Sequence, residues 1–148
     1  MKKLYIINIC LILIIVLTAG IIKLPQNKEA LVKELLSDRI DILNGYYKGN
    51  TSVNETYDSL KTVEYGQVLD EDTAYLDAYA GTDIDQIIEY KIKDFTWKES
   101  DYGYIEGKAE FEWLMENNTD KYVAKLTYSY RCNEINGKYK ITEFKIIT

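Results

Sequence analysis

From Leu4 to Ile22 the chain runs apolar without a break (LYIINICLILIIVLTAGII), with Lys2-Lys3 before it and Lys23 after it. As a helix rising about 1.5 Å per residue it would be about 29 Å long, which matches a hydrocarbon layer of about 30 Å. Thirteen of its residues are Leu, Ile or Val, each favouring the bilayer centre by about 0.3–0.6 kcal/mol. Residues 1–23 are therefore expected to be a transmembrane signal anchor, and residues 24–148 a single domain outside the membrane.

A cleaved secretory leader is the competing reading. Its apolar core should span about 7–15 residues and close on a small-residue site. Thr18-Ala19-Gly20 offers such a site, but Ile21 and Ile22 carry the apolar run past it. Retention is the expectation, with secretion after cleavage as the alternative. Ile9 stands where a lipidation signal at Cys10 needs a small residue, so Cys10 reads as a small apolar residue of the span. Lys2, Lys3 and the amino terminus on one side favour a cytoplasmic amino end and an extracytoplasmic domain.

Removing Lys2, Lys3 and Lys23 leaves 15 basic residues against all 24 acidic ones, a formal charge of −9 for residues 24–148. A surface so acidic is repelled by phosphate backbones, so no nucleic-acid partner is expected. The chain has no histidine, which excludes a Ser-His-Asp or Cys-His nucleophilic site and a histidine-ligated zinc. With Cys10 in the span, Cys132 is a lone thiol and no disulfide framework is expected. No metal, cofactor or catalytic residue is assigned. Beside Arg131, Cys132 is open to two readings: a thiol of lowered pKa, or a small core residue.

Asn27 is a plausible helix cap, and Ala30, Leu31, Leu35, Leu36, Ile40 and Leu43 then recur at helical spacing, with Asn44-Gly45 as the expected stop. Ser52-x-x-Glu55 is a capping-box pattern opening a second helix to about Leu60. A third is expected from Asp70 to Ala80, where Asp70, Glu71 and Asp72 complement the positive end of the helix dipole. From about Ile87 the period becomes two. Ile88, Tyr90 and Ile92 share a face that Phe95 and Trp97 resume after a slip at Lys93-Asp94, the mark of a β-bulge. A second strand sets Ile105, Gly107, Ala109, Phe111, Trp113 and Met115 against Glu106, Lys108, Glu110, Glu112 and Glu116. Tyr122, Ala124, Leu126, Tyr128 and Tyr130 line the third strand. Tyr139, Ile141, Phe144 and Ile146, with a slip at Thr142-Glu143, line the fourth. Asn136-Gly137 is a two-residue hairpin signal. Short connections between alternating strands mean an antiparallel meander whose apolar face the helices cover. The expected class is α+β: an amino-terminal transmembrane helix, then about three helices packed on a curved four-stranded antiparallel sheet.

Helices followed by a bulged meander over residues 27–148 resemble the cone-shaped fold of the nuclear transport factor 2-like superfamily; a cystatin-like or other α+β meander reads similarly. With a single span ahead of it, the arrangement is similar to membrane-anchored assembly factors of conjugation and type IV secretion machines. The resemblance implies either a partner-binding sheet face or a pocket like that of ketosteroid isomerase-like enzymes, and fold alone does not choose.

An enzyme needs a carboxylate base and a donor converging in an apolar pocket. Asp94 at the bulge, with Tyr90, Tyr128 or Tyr130 as donors, is the best set the sequence offers. Binding uses the same aromatics as contact area, and Tyr90, Asp94, Trp113, Tyr128 and Tyr130 are the candidate ligand- or partner-binding residues. Trp97, Phe111 and Trp113, in phase with the apolar face, read first as core. The expected function is a non-enzymatic, membrane-anchored domain that engages a protein partner, with the bilayer contacted through Leu4–Ile22. A small-ligand-binding or isomerase-like enzyme is the alternative.

Overall fold

In the computed structural model the described residues are 27–79, 85–117 and 119–147. The chain divides into two compact units, Met1–Leu31 and Val32–Thr148. The span expected over Leu4–Ile22 lies outside the described residues, and among these no helix is long and apolar enough to cross a membrane. Three helices, α1 (Lys28–Tyr47), α2 (Val53–Val63) and α3 (Gln67–Tyr79), precede four strands: β1 (Gln86–Glu99), β2 (Ile105–Glu116), β3 (Lys121–Ile135) and β4 (Lys138–Ile146). The strands form one antiparallel sheet in the order β1-β2-β3-β4. The class is α+β.

Local chemistry sets most element ends. The Asn27 side chain accepts from the Ala30 amide at 3.2 Å, capping α1. Ser52 and Glu55 exchange bonds in both directions, a complete capping box for α2. Two helix ends differ from expectation. α1 passes through Asn44-Gly45 and ends at Tyr47, two residues before Gly49, whose φ is +73°. The extra turn is held by tertiary bonds: Asn44 Nδ2 donates to the Ile87 carbonyl and the Tyr46 hydroxyl to that of Leu76. α3 starts at Gln67, directly after Gly66 with φ +70°, so Asp72 falls past its first turn.

The register of the strands follows the alternation. Ile105, Gly107, Ala109, Phe111, Trp113 and Met115 of β2 stand opposite Cys132, Tyr130, Tyr128, Leu126, Ala124 and Tyr122 of β3, so all twelve share one face. The helices cover that inner face, where Ile105, Ala109, Phe111, Cys132 and Ile141 are fully buried beside Val32, Leu36, Leu60 and Leu76. The bulges expected at Lys93-Asp94 and Thr142-Glu143 are present as register shifts between Ile92 and Phe95 and opposite Arg131–Cys132. A third shift lies between Ile87 and Glu89, which throws Ile88 off the inner face to 39% exposure. Asn136 and Gly137 both have positive φ (52° and 79°), as a primed two-residue turn requires.

Trp97 departs from the core expectation. It sits opposite Gly107 near the end of β1 and is 40% exposed. Gly107 itself is a packing requirement. The Tyr130 hydroxyl passes over it to donate to the Thr96 carbonyl at 2.7 Å, and a Cβ there would lie 1.9 Å from that carbonyl oxygen. Backbone cannot swing aside as a side chain does. Gly107→Ala is expected to cost about 2–3 kcal/mol in denaturant unfolding, through overpacking and loss of the Tyr130 bond.

The outer face is a ladder of compensated charges. Glu112 lies between Lys93 and Lys125 (3.4 and 3.3 Å), and Glu106 between Lys98 and Arg131 (3.0 and 3.1 Å). These cations hold both carboxyls below their ordinary range, through hydrogen bonds from Lys125 and from Lys98 first. Exposed charges so paired blunt edge-to-edge association.

Candidate functional site

One element places a charge where the pattern calls for an apolar residue. Val32, Leu35, Leu36 and Ile40 mark the buried stripe of α1, and Arg39 stands beside it, one turn on from Leu35 and Leu36. Its side chain is 12% exposed. Arg39 Nε donates to Glu64 Oε1 at 2.6 Å, an Nη donates to Asp72 Oδ2, and the guanidinium lies 4.3 Å from the Phe144 ring centroid. One cation thus joins α1 to α3, to β4 and to the residue that closes α2.

Glu64 is the most deeply placed of the three, with a side-chain exposure of 0%. The backbone fixes it there. Its amide caps α2 by donating to Leu60 O, it forms a parallel bridge with Ile141, and the next amide, Tyr65, donates to Ile141 O at 3.0 Å. Glu64 Oε2 is buried with no hydrogen-bond partner of good geometry among the described residues. Burial pushes this carboxyl up to about 8, Arg39 opposing the rise and the negative charge of Asp72 reinforcing it. The shift favours the protonated form of Glu64 beside the Arg39–Asp72 pair.

Arg39 also forms one wall of a cleft of about 310 Å³ between α1 and the inner face of the sheet. Ile40, Leu43 and Tyr47 of α1 stand on one side of it, and Ile87, Trp113, Met115, Tyr122, Ala124, Leu126 and Tyr128 of the sheet on the other. Trp113 is stacked on Phe111 at 4.9 Å and meets Tyr128 edge-on at 6.3 Å, while Tyr128 stacks on Phe144 at 4.4 Å. The cleft is open rather than enclosed: Tyr122 and Leu126 are 38% and 36% exposed, and the Tyr122 hydroxyl is tied to Asp85.

Of the residues singled out from sequence, Trp113 and Tyr128 line the cleft, and Tyr90 packs beside Trp113 at 5.9 Å. Tyr130 faces the same side but is buried, stacked on Phe95 and bonded to Thr96. Asp94 is exposed at the β1 bulge. Cys132 is fully buried, and burial pushes its thiol up to about 12, which removes the reactive-thiol reading. Sequence reasoning missed Arg39, Glu64, Asp72 and Tyr47. Arg39 carried a signal, a cation in phase with an apolar stripe. Asp72 was absorbed into the helix-dipole reading, and Glu64 and Tyr47 carried no signal. Among the described residues no group of three or more acidic or thiol side chains is disposed to hold a metal ion.

No protein-family model matches this chain, and no curated protein matches it. Among solved structures it is similar to the crystal structure of the intermembrane space region of the chloroplast protein ARC6. The TM-score is 0.55 at 15% identity, over 84% of this chain and 99% of that one. At that identity the likeness is one of fold alone.

Proposed function

We propose that this chain is a membrane-anchored, extracytoplasmic binding domain, of the cone type seen in the nuclear transport factor 2-like superfamily. In this reading it takes an apolar segment of a partner protein into the cleft between α1 and the inner face of β2–β3. The observation that carries the reading is an apolar, aromatic-walled cleft left open at the end of the sheet. Pockets for small molecules bury about 70–90% of their ligand and run from about 300 Å³ upward. This one is at the lower end of that range and open along Leu126, which suits one or two side chains of a passing polypeptide better than a free small molecule. The address is the one expected from Leu4–Ile22, with the amino terminus in the cytoplasm.

The enzyme reading has one observation in its favour, a buried carboxyl of raised pKa within reach of the same cleft. Arg39 lines the cleft and Glu64 does not, and a carboxyl that does not line the cavity is poorly placed to exchange a proton with an occupant, so binding is the better reading.

Photocrosslinking in intact membranes tests it. A photoreactive residue at Leu126 should give a discrete adduct with a second protein, and the same residue at Glu110, on the outer face, should not. Equal adducts from both positions, or none from Leu126, would contradict the proposal.

A further inference from the structure

A buried donor in the cleft wall has nothing to bond. Trp113 is 7% exposed and lines the cleft from β2, among Met115, Ala124 and Leu126. Its indole Nε1 is buried with no hydrogen-bond partner among the described residues. The rings of Tyr90, Phe111 and Tyr128 pack around the indole without supplying an acceptor. A buried indole ordinarily finds a partner, and leaving the N–H unmade costs roughly 1–3 kcal/mol.

The fold and the solvent both leave this donor empty. β2 is an inner strand, so its own carbonyls are spent on the ladders with β1 and β3. A water reaching the closed-off nitrogen would have to part the apolar walls for one bond, where a buried water needs about two to four. A polypeptide segment that carries its own apolar side chain gains burial as it parts the same walls. Side-chain rotamer shifts of that kind are common on binding.

The type of acceptor follows from the number of donors. A carboxylate accepts at several lone pairs and holds its water strongly. One indole N–H replaces little of that water. Arg39, the cation of the cleft wall, already has Nε and one Nη bonded to Glu64 and Asp72. A peptide carbonyl can be satisfied by a single donor.

Resting on the cleft reading above, we infer that Trp113 selects the partner segment: its Nε1–H donates to a backbone carbonyl of that segment, beside an apolar side chain that enters among Leu43, Met115 and Leu126. The empty cleft leaves the donor unpaired, and the occupant completes it.

Three probes of one shape test this: 3-phenylpropionamide, propylbenzene, which lacks the acceptor, and 3-phenylpropionate, which carries a charged one. They are titrated into the full chain in lipid nanodiscs, with the indole N–H signals and the Ile87 and Leu126 methyls followed by NMR. The chain has two tryptophans, and Trp97, outside the cleft wall and 40% exposed, is the control. The amide should move the Trp113 N–H proton downfield, saturably, and leave that of Trp97 in place. Propylbenzene should move the methyls without that downfield shift, and phenylpropionate should bind at least about tenfold more weakly than the amide. Trp113→3-benzothienylalanine puts sulfur in place of the N–H at nearly constant size. It should weaken the amide about fivefold, as loss of one hydrogen bond does, and leave propylbenzene binding and the unfolding midpoint unchanged. Three results would each overturn the Trp113 assignment and leave the cleft standing: a Trp113 proton unmoved by the amide, amide binding unaffected by the sulfur variant, or a lowered midpoint in that variant, the sign of an N–H already bonded inside the fold. Phenylpropionate binding as tightly as the amide would overturn the choice of a carbonyl. No methyl shift with any probe would remove the cleft as a site, and the reading above with it.

Discussion

Arg39→Met is expected to destabilise the folded domain by about 3–5 kcal/mol at pH 7, the cost of breaking a buried ion pair from one side. Methionine replaces the bulk of the stem but none of the five N–H donors. It leaves Asp72, only 15% exposed, without its cation, and Glu64 without its one good partner. The contact of the guanidinium with the Phe144 ring is lost as well. Urea unfolding at pH 7 measures the loss. A loss below about 1 kcal/mol at pH 7 would mean that the cluster behaves as an ordinary exposed salt bridge.

Glu64 supplies the second large effect, and its sign is unusual for a carboxylic acid. Its pKa rises from 4.5 to about 8 on folding. Between those values the folded chain holds a proton that the unfolded chain has released, so stability falls as the pH rises. The contribution is complete below about pH 4.5 and is lost as the pH passes through about 8. Its size is roughly 3–5 kcal/mol at about 1.4 kcal/mol per pH unit. Arg39 on α1, Asp72 on α3 and the Ile141 backbone of β4 are the groups packed about it. Glu64→Gln keeps the shape of the protonated acid, an oxygen towards Arg39 and a donor in place of the second oxygen, and has nothing to titrate. The variant should match the native chain near pH 5 and exceed it by a few kcal/mol at pH 9. Unfolding midpoints measured from pH 4 to 10 decide the matter, and parallel curves for the two proteins would refute a protonated Glu64.

These effects converge on residues that the sequence pattern hid, for a physical reason. Periodicity reads the side of an element on which a residue lies, and it did so correctly for all of β2 and β3, because register by twos follows from burying one face. It also located two bulges, since a bulge is a break in period. It missed the bulge at Ile88, where Ile87 and Ile88 are both apolar and the pattern is blind to which one faces in. Helix ends were less legible. Asn44-Gly45 is a stop signal by local preference, but bonds from Asn44 and Tyr46 to distant carbonyls overrule it. That extension puts Tyr47 on the cleft wall. The buried cluster was least legible, because it joins residue 39 of α1, residue 64 at the end of α2 and residue 72 of α3, and a long-range ion pair leaves no mark on local spacing. What did show was the aromatic wall: Trp113 and Tyr128 stand in the cleft, and Tyr90 beside it. Asp94 and Tyr130, drawn from the same strands, stand elsewhere because alternation fixes a face and not a position along it.

The central claim is that the cleft, and not the charged outer face, holds the partner. Ala124 lines the cleft and is half-buried, so Ala124→Phe should fill it with little cost to the fold. The decisive measurement is the adduct yield from a photoreactive residue at Leu126 in membranes carrying this plug, beside the unfolding midpoint of the same protein. Loss of the adduct with the midpoint unchanged is the predicted result. An undiminished adduct from a plugged, fully folded domain would place the partner elsewhere and contradict the account.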